Sequence, residues 1–88
     1  MKTRGVLACI TRERTRQERK AAAGDFGWTC SDPGIPDFPK LAVLVEEVGE
    51  VGRAILGADG AVTDGGDLRQ ELIQVAAVAV AWLESLPE

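Results

Sequence analysis

Between Leu72 and Leu83 the chain reads LIQVAAVAVAWL, apolar almost all the way round a helix. A helix of that kind must be covered on more than one side. The chain has only 88 residues to do the covering, so its core is small and its stability marginal. Three helices of one copy cannot bury such a segment completely, and the alanines permit close helix contact. The expectation is a homo-oligomer, a dimer or tetramer, whose interface includes this third helix and draws on the second. The segment is shorter than the ~18 apolar residues of a membrane span and is interrupted by Gln74. No membrane crossing is expected.

Periodicity places the other elements. Leu41, Leu44, Val45, Val48, Val51 and Ile55 recur at helical spacing. They predict a second helix over 38–57, with Asp37 as N-cap, Pro39 in the first turn and Gly57 as the stop. Gly49 and Gly52 inside it point to close approach by another helix or a ligand. The third helix covers 68–86, capped by Asp67 and halted by Pro87. A first helix over 3–23 has a weak apolar stripe, Leu7 and Ile10, then a charged half that reads as a solvated face; Gly24 ends it. Residues 24–39 hold three prolines and three glycines and form a loop. Its aromatics, Phe26 and Trp28, either fold back to cap the core or wall a planar ligand such as a nucleobase. Residues 57–67 form a second loop. Its aspartates, Asp59, Asp64 and Asp67, lack calcium-loop spacing and read as turn residues. The whole is one all-α domain over 1–88, a helical bundle completed by homo-oligomerisation.

Charge and chemistry narrow the function. Residues 1–20 carry net +5 and residues 21–88 net −9. The basic segment alone fits a nucleic-acid arm, but the acidic remainder and the lack of interleaved aromatics argue against it. A basic helix beside an acidic site suits a phosphate ligand bridged by a metal. There is no histidine, so acid–base chemistry falls to carboxylates, lysine or a metal-bound water. Cys9 and Cys30 have no zinc-site spacing and read as free thiols of a cytoplasmic protein. The apolar stretch after Lys2 and Arg4 is about six residues, below the 7–15 of a signal core.

Glu46, Glu47 and Glu50 share one face of the second helix, and Glu71 and Gln74 share a face of the third. No Lys or Arg follows Glu46 or Glu47 at i+4, and only Arg53 stands three residues beyond Glu50. Packed antiparallel, the two helices would aim several oxygens at one small volume, which is what a hard cation such as Mg²⁺ takes. Each residue alone also has a plainer reading: solvated acids, a first-turn glutamate favoured by the helix dipole, a register-setting glutamine.

The runs KLAVLVEEVGEVGRAI and LRQELIQVAAVAVAWLESL resemble the MazG-like all-α nucleoside triphosphate pyrophosphohydrolases. That family's pattern is E-E-x-x-E, a gap, then E-x-x-D. Glu46-Glu47-Val48-Gly49-Glu50 match its first half, and Glu71-Leu72-Ile73-Gln74 its second, with Gln in place of Asp. ITRERTRQERK is similar to the E-R-x-R-Q-x-x-K opening of small phage and bacterial relatives. The resemblance covers residues 6–20 and 40–86 and leaves the intervening loop unmatched. It implies a Mg²⁺-dependent enzyme, with Mn²⁺ as an alternative ion, that converts a ribo- or deoxyribonucleoside triphosphate to the monophosphate and pyrophosphate. Glu47, Glu50 and Glu71 fall on metal-ligand positions, Gln74 takes the fourth, and Glu46 becomes an auxiliary acid. Together Glu46, Glu47, Glu50 and Glu71 form the catalytic set. Gln17, Lys20, Lys40, Arg53 and Trp28 are candidate phosphate or base contacts. Gln74 removes one formal charge from the site. The alternative it raises is a non-catalytic helical module that binds a nucleotide or a protein partner.

Overall fold

The computed structural model describes residues 1–25, 27–57 and 67–88. Phe26, Asp59 and Asp64 lie outside the described residues. Three helices and no strand occur among those described: α1 (Thr3–Ala22), α2 (Asp37–Leu56) and α3 (Leu68–Ser85).

The stops are local. Gly24 has φ +87°, a left-handed conformation that favours glycine. Its N–H donates to the Ala21 carbonyl and that of Asp25 to Lys20, both at 3.0 Å, closing α1 in a Schellman turn. Gly57, at φ +76°, donates to the Arg53 carbonyl at 2.7 Å and ends α2. The starts differ from expectation. Asp37 is the first residue of α2, not its cap, and neither Pro36 nor Asp67 makes a side-chain capping bond. The Asp37 carboxylate instead accepts a bond from the Trp82 indole at 3.3 Å, so it ties α2 to α3.

α3 lies between the other two helices and packs against both. From one end of α2 to its middle the contacts run in opposite order along α3: Lys40 meets Ser85 and Glu47 meets Gln74. The pair is therefore antiparallel. Along α1 and α3 they run in the same order, from Cys9 with Arg69 to Arg14 with Glu84. This central position accounts for much of α3's apolar circumference. Ala77, Val78 and Ala81 are buried, and Val78 and Ala81 join Cys30, with Trp28, Val43, Leu44 and Trp82 packed around them. Coverage is still incomplete. Leu72 and Leu83 on α3, and Leu41, Val45, Val48 and Ile55 on α2, are exposed. The radius of gyration is 14.0 Å, against about 12 Å for a compact chain of this length.

Two sequence expectations are corrected here. A Cβ built on Gly49 or Gly52 would meet nothing within 4 Å, so among the described residues no helix of this chain approaches either glycine closely. The charged half of α1 is not wholly solvated: Glu13 and Arg14 are buried. Arg14 donates to Glu84 at 2.9 Å and to Gln17 at 2.9 Å, joining α1 to the end of α3. Burial alone would lower its pKa, but the Glu84 and Glu18 carboxylates more than offset that and raise it.

Candidate active site

Antiparallel packing of α2 on α3 brings Glu47 and Glu71 to either side of Gln74. The amide orientation that satisfies all three groups turns the Gln74 nitrogen toward both acids. It then donates to Glu71 Oε2 at 3.0 Å and to Glu47 Oε2 at 3.1 Å. The residue that breaks the expected acidic pattern thus sits at its centre, as a bridge between two carboxylates.

Glu47 is the focus of the charge. Its carboxyl is raised above the ordinary value, first by burial and then by the charges of Glu71, Glu46, Glu50 and Glu13. Both effects disfavour the ionised form. The Gln74 amide acts the other way, because it donates to the carboxylate. Glu46 and Glu50 act on Glu47 through space; Glu50 also meets Arg53 at 4.0 Å on the exposed side of α2. Among the described residues no three His, Cys, Asp or Glu side chains are gathered closely enough to hold a metal ion as they stand.

Beside this cluster lies a cavity of about 210 Å³. Glu47 and Gln74 line it, together with Glu13, Arg16, Gln17 and Lys20 of α1. Trp28, Thr29, Cys30, Val43 and Val78 complete its wall. Trp28 packs on the core cluster, as a loop aromatic that folds back would, and it also lines the cavity. The loop carrying it is pinned by hydrogen bonds. Thr29 Oγ1 and Ser31 Oγ are 2.6 Å apart, and Ser31 donates to Glu18 at 3.2 Å. Both cysteines are free. Burial raises the Cys30 thiol, with partial relief from Lys40 and Arg14, and keeps it neutral near pH 7.

Of the sequence candidates, Gln17, Lys20, Trp28, Glu47 and Gln74 line the cavity. Glu71 reaches it through Gln74. Glu46, Glu50 and Arg53 do not line it, and the Arg53 side chain is exposed. Lys40 is the clear correction. It is 2% exposed and donates to Ser85 Oγ at 2.8 Å. There its ammonium faces the C-terminus of α3, whose last turn has no basic residue of its own and whose carbonyls favour a cation. The sequence could not show this, because the partner lies 45 residues away. We expect Lys40→Ala to cost about 2 kcal/mol, roughly 10 °C in melting temperature for a domain of this size. It should not weaken nucleotide binding. A melt and a titration on the same variant check both halves.

The sequence reading missed Glu13, Arg16, Thr29 and Cys30 as cavity residues. The signal for the first two was present, since both belong to the run Glu13–Lys20 that supplied Gln17 and Lys20.

No protein-family model, curated protein or solved structure matches the chain.

Proposed function

We propose that this chain is a Mg²⁺-dependent nucleotide pyrophosphohydrolase of the MazG-like kind, cleaving a ribo- or deoxyribonucleoside triphosphate to the monophosphate and pyrophosphate. One observation carries the reading: the Glu47–Gln74–Glu71 bridge across α2 and α3 borders a cavity that α1 also lines, with Glu13, Arg16, Gln17 and Lys20. Acids and cations lining one cavity suit a metal-bridged polyphosphate, and Trp28 with Val43 and Val78 suits a base.

The donor chemistry suits a hard divalent cation, which would have to draw the carboxylates closer together than they stand. Glu47 sits in the field of four other carboxylates, an excess of negative charge that a cation relieves, and every donor is an oxygen. Glu47, Glu50 and Glu71 would hold the ion, joined by the Gln74 carbonyl oxygen once its amide turns over. When bound, such an ion offsets phosphate charge and lowers the pKa of an attacking water. Glu46, left outside the ligand set, would be the carboxylate to orient an attacking water and accept its proton. Lys20 and Gln17 bind the phosphate tail, and the apolar wall excludes water from the base.

The exposed apolar residues of α2 and α3, together with the open face at Gly49 and Gly52, support assembly into a homodimer or homotetramer. No helix among the described residues is long and apolar enough to cross a membrane.

The test is pyrophosphate release from a panel of ribo- and deoxyribonucleoside triphosphates, with Mg²⁺ and with EDTA, on protein whose mass in solution is measured. Metal-dependent release with the monophosphate as co-product is the expected result. One observation favours a second reading, a non-catalytic nucleotide-binding module: the neutral Gln74 amide already satisfies the two acids. Thermal stabilisation by Mg²⁺ and nucleotide without any hydrolysis would select that reading.

A further inference from the structure

Glu13 is 5% exposed, yet its described hydrogen bonds all go to one partner. Arg16 Nε donates to Glu13 Oε1 at 3.0 Å and Oε2 at 3.2 Å, and Nη2 donates to Oε2 at 2.7 Å. One edge of the guanidinium is therefore fully engaged. The other edge, Nη1 with the remaining N–H of Nη2, bonds no described residue, and the Arg16 side chain is 51% exposed. Both residues line the cavity. Glu13 also acts on the Glu47 carboxyl, and Glu47 on the Arg16 guanidinium, so the pair stands in the field of the acidic cluster.

Stability does not account for this arrangement. The attraction within a buried ion pair is largely offset by the cost of desolvating its charges, so the pair adds little net stability. What a buried carboxylate on one edge does accomplish is orientation. It fixes a planar fork whose free edge matches two oxygens of a phosphate. Lys20, one turn further along α1, adds a point charge on the same cavity wall.

We propose that the free edge of Arg16 is an anchoring subsite for a polyphosphate tail and that Glu13 is its positioning residue. This rests on the nucleotide reading for its biological ligand, but the subsite is testable without turnover. The probe is inorganic tripolyphosphate with Mg²⁺, titrated calorimetrically into the full chain. The wild type should bind it. Arg16→Ala should weaken binding about tenfold or more. Arg16→Lys should recover only part, since an ammonium lacks the fork. Glu13→Gln, which keeps the shape and loses the charge, should weaken binding less than Arg16→Ala without lowering the melting temperature. Where nucleotides are turned over, both variants should raise KM more than they lower kcat.

Equal binding by the wild type, Arg16→Ala and Arg16→Lys overturns the subsite even if nucleotides are hydrolysed. So does a wild type that binds no tripolyphosphate. Glu13→Gln binding as well as the wild type overturns the positioning role. Arg16-dependent binding in a chain that hydrolyses nothing upholds the subsite and removes the enzyme. Should Arg16→Ala fail to fold, the comparison of the wild type with Arg16→Lys decides.

Discussion

Glu71→Gln and Glu47→Gln should each abolish pyrophosphate release, by on the order of 10²–10⁴-fold or more, while the protein stays helical. Both acids contact the same amide, and each substitution removes one of the two charges that face each other across α2 and α3. Glu50→Gln should fall in the same class, because Glu50 adds to the field at Glu47 from the exposed side of α2. Unchanged turnover in Glu47→Gln and Glu71→Gln alike would remove the catalytic assignment, whatever the binding data show.

The same substitutions should not destabilise the fold, and this separates a functional cluster from a structural one. The folded pKa of Glu47 is raised above its ordinary 4.5. A raised pKa means the folded state binds the proton more tightly than the unfolded state. Glu47 therefore favours folding fully below pH ~4.5, and that contribution is lost as pH rises through the folded value. At pH 7 the ionised Glu47 is a burden that Glu47→Gln removes. The variant should melt higher than the wild type at pH 7 and about level with it at pH 4. Mg²⁺ should raise the melting temperature of the wild type at pH 7 more than that of Glu47→Gln. A Glu47→Gln variant that melts lower at pH 7 would mean that the carboxylate is held by favourable partners rather than crowded by like charges.

Much of this was readable from the chain because the signals were local. Gly24, Gly57 and Pro87 are backbone stops, and they fix the helix ends to within a residue or so. The acids at 46, 47, 50 and 71 announce themselves by helical spacing and by the absence of i+4 cations. What could not be read depends on how the helices cross. Lys40 looks like a surface cation until the end of α3 is placed over it. Glu13 and Arg14 look solvated until α3 runs alongside α1 and the loop bearing Trp28 folds back. Gly49 and Gly52 point to a contact, but one chain alone does not supply it. The apolar run of α3 demanded cover on several sides. The chain provides two of them by putting that helix in the middle, which sequence order, with α3 last, does not suggest.

Gln74 is where sequence and structure bear most directly on each other, and changing it should alter metal affinity most. Gln74→Glu keeps the length of the side chain and places a third carboxylate between Glu47 and Glu71. It also deletes two donated hydrogen bonds of 3.0 and 3.1 Å. Hydrogen bonds to charged groups contribute about 1.5–3 kcal/mol each where they are shielded from water, and Gln74 is half-buried. Without divalent ions at pH 7, the expected loss is on the order of 1–3 kcal/mol, or about 5–15 °C in melting temperature. Added Mg²⁺ should more than recover it, because the new carboxylate raises the charge of the ligand set. Cation affinity should tighten by roughly tenfold, since ligand charge tunes such sites over decades. Gln74→Asp gives the E-x-x-D pattern of the proposed family and should behave in the same sense, with a smaller apo penalty because its carboxylate reaches less far. The decisive measurement is the pair of melting curves, with EDTA and with Mg²⁺, for the wild type and both variants. If the acidic variants melt low in EDTA and high in Mg²⁺, the Glu47–Glu71 gap is a cation site that Gln74 holds closed. If Mg²⁺ leaves them low, the amide is a structural bridge, and the acids around it serve the fold rather than a metal.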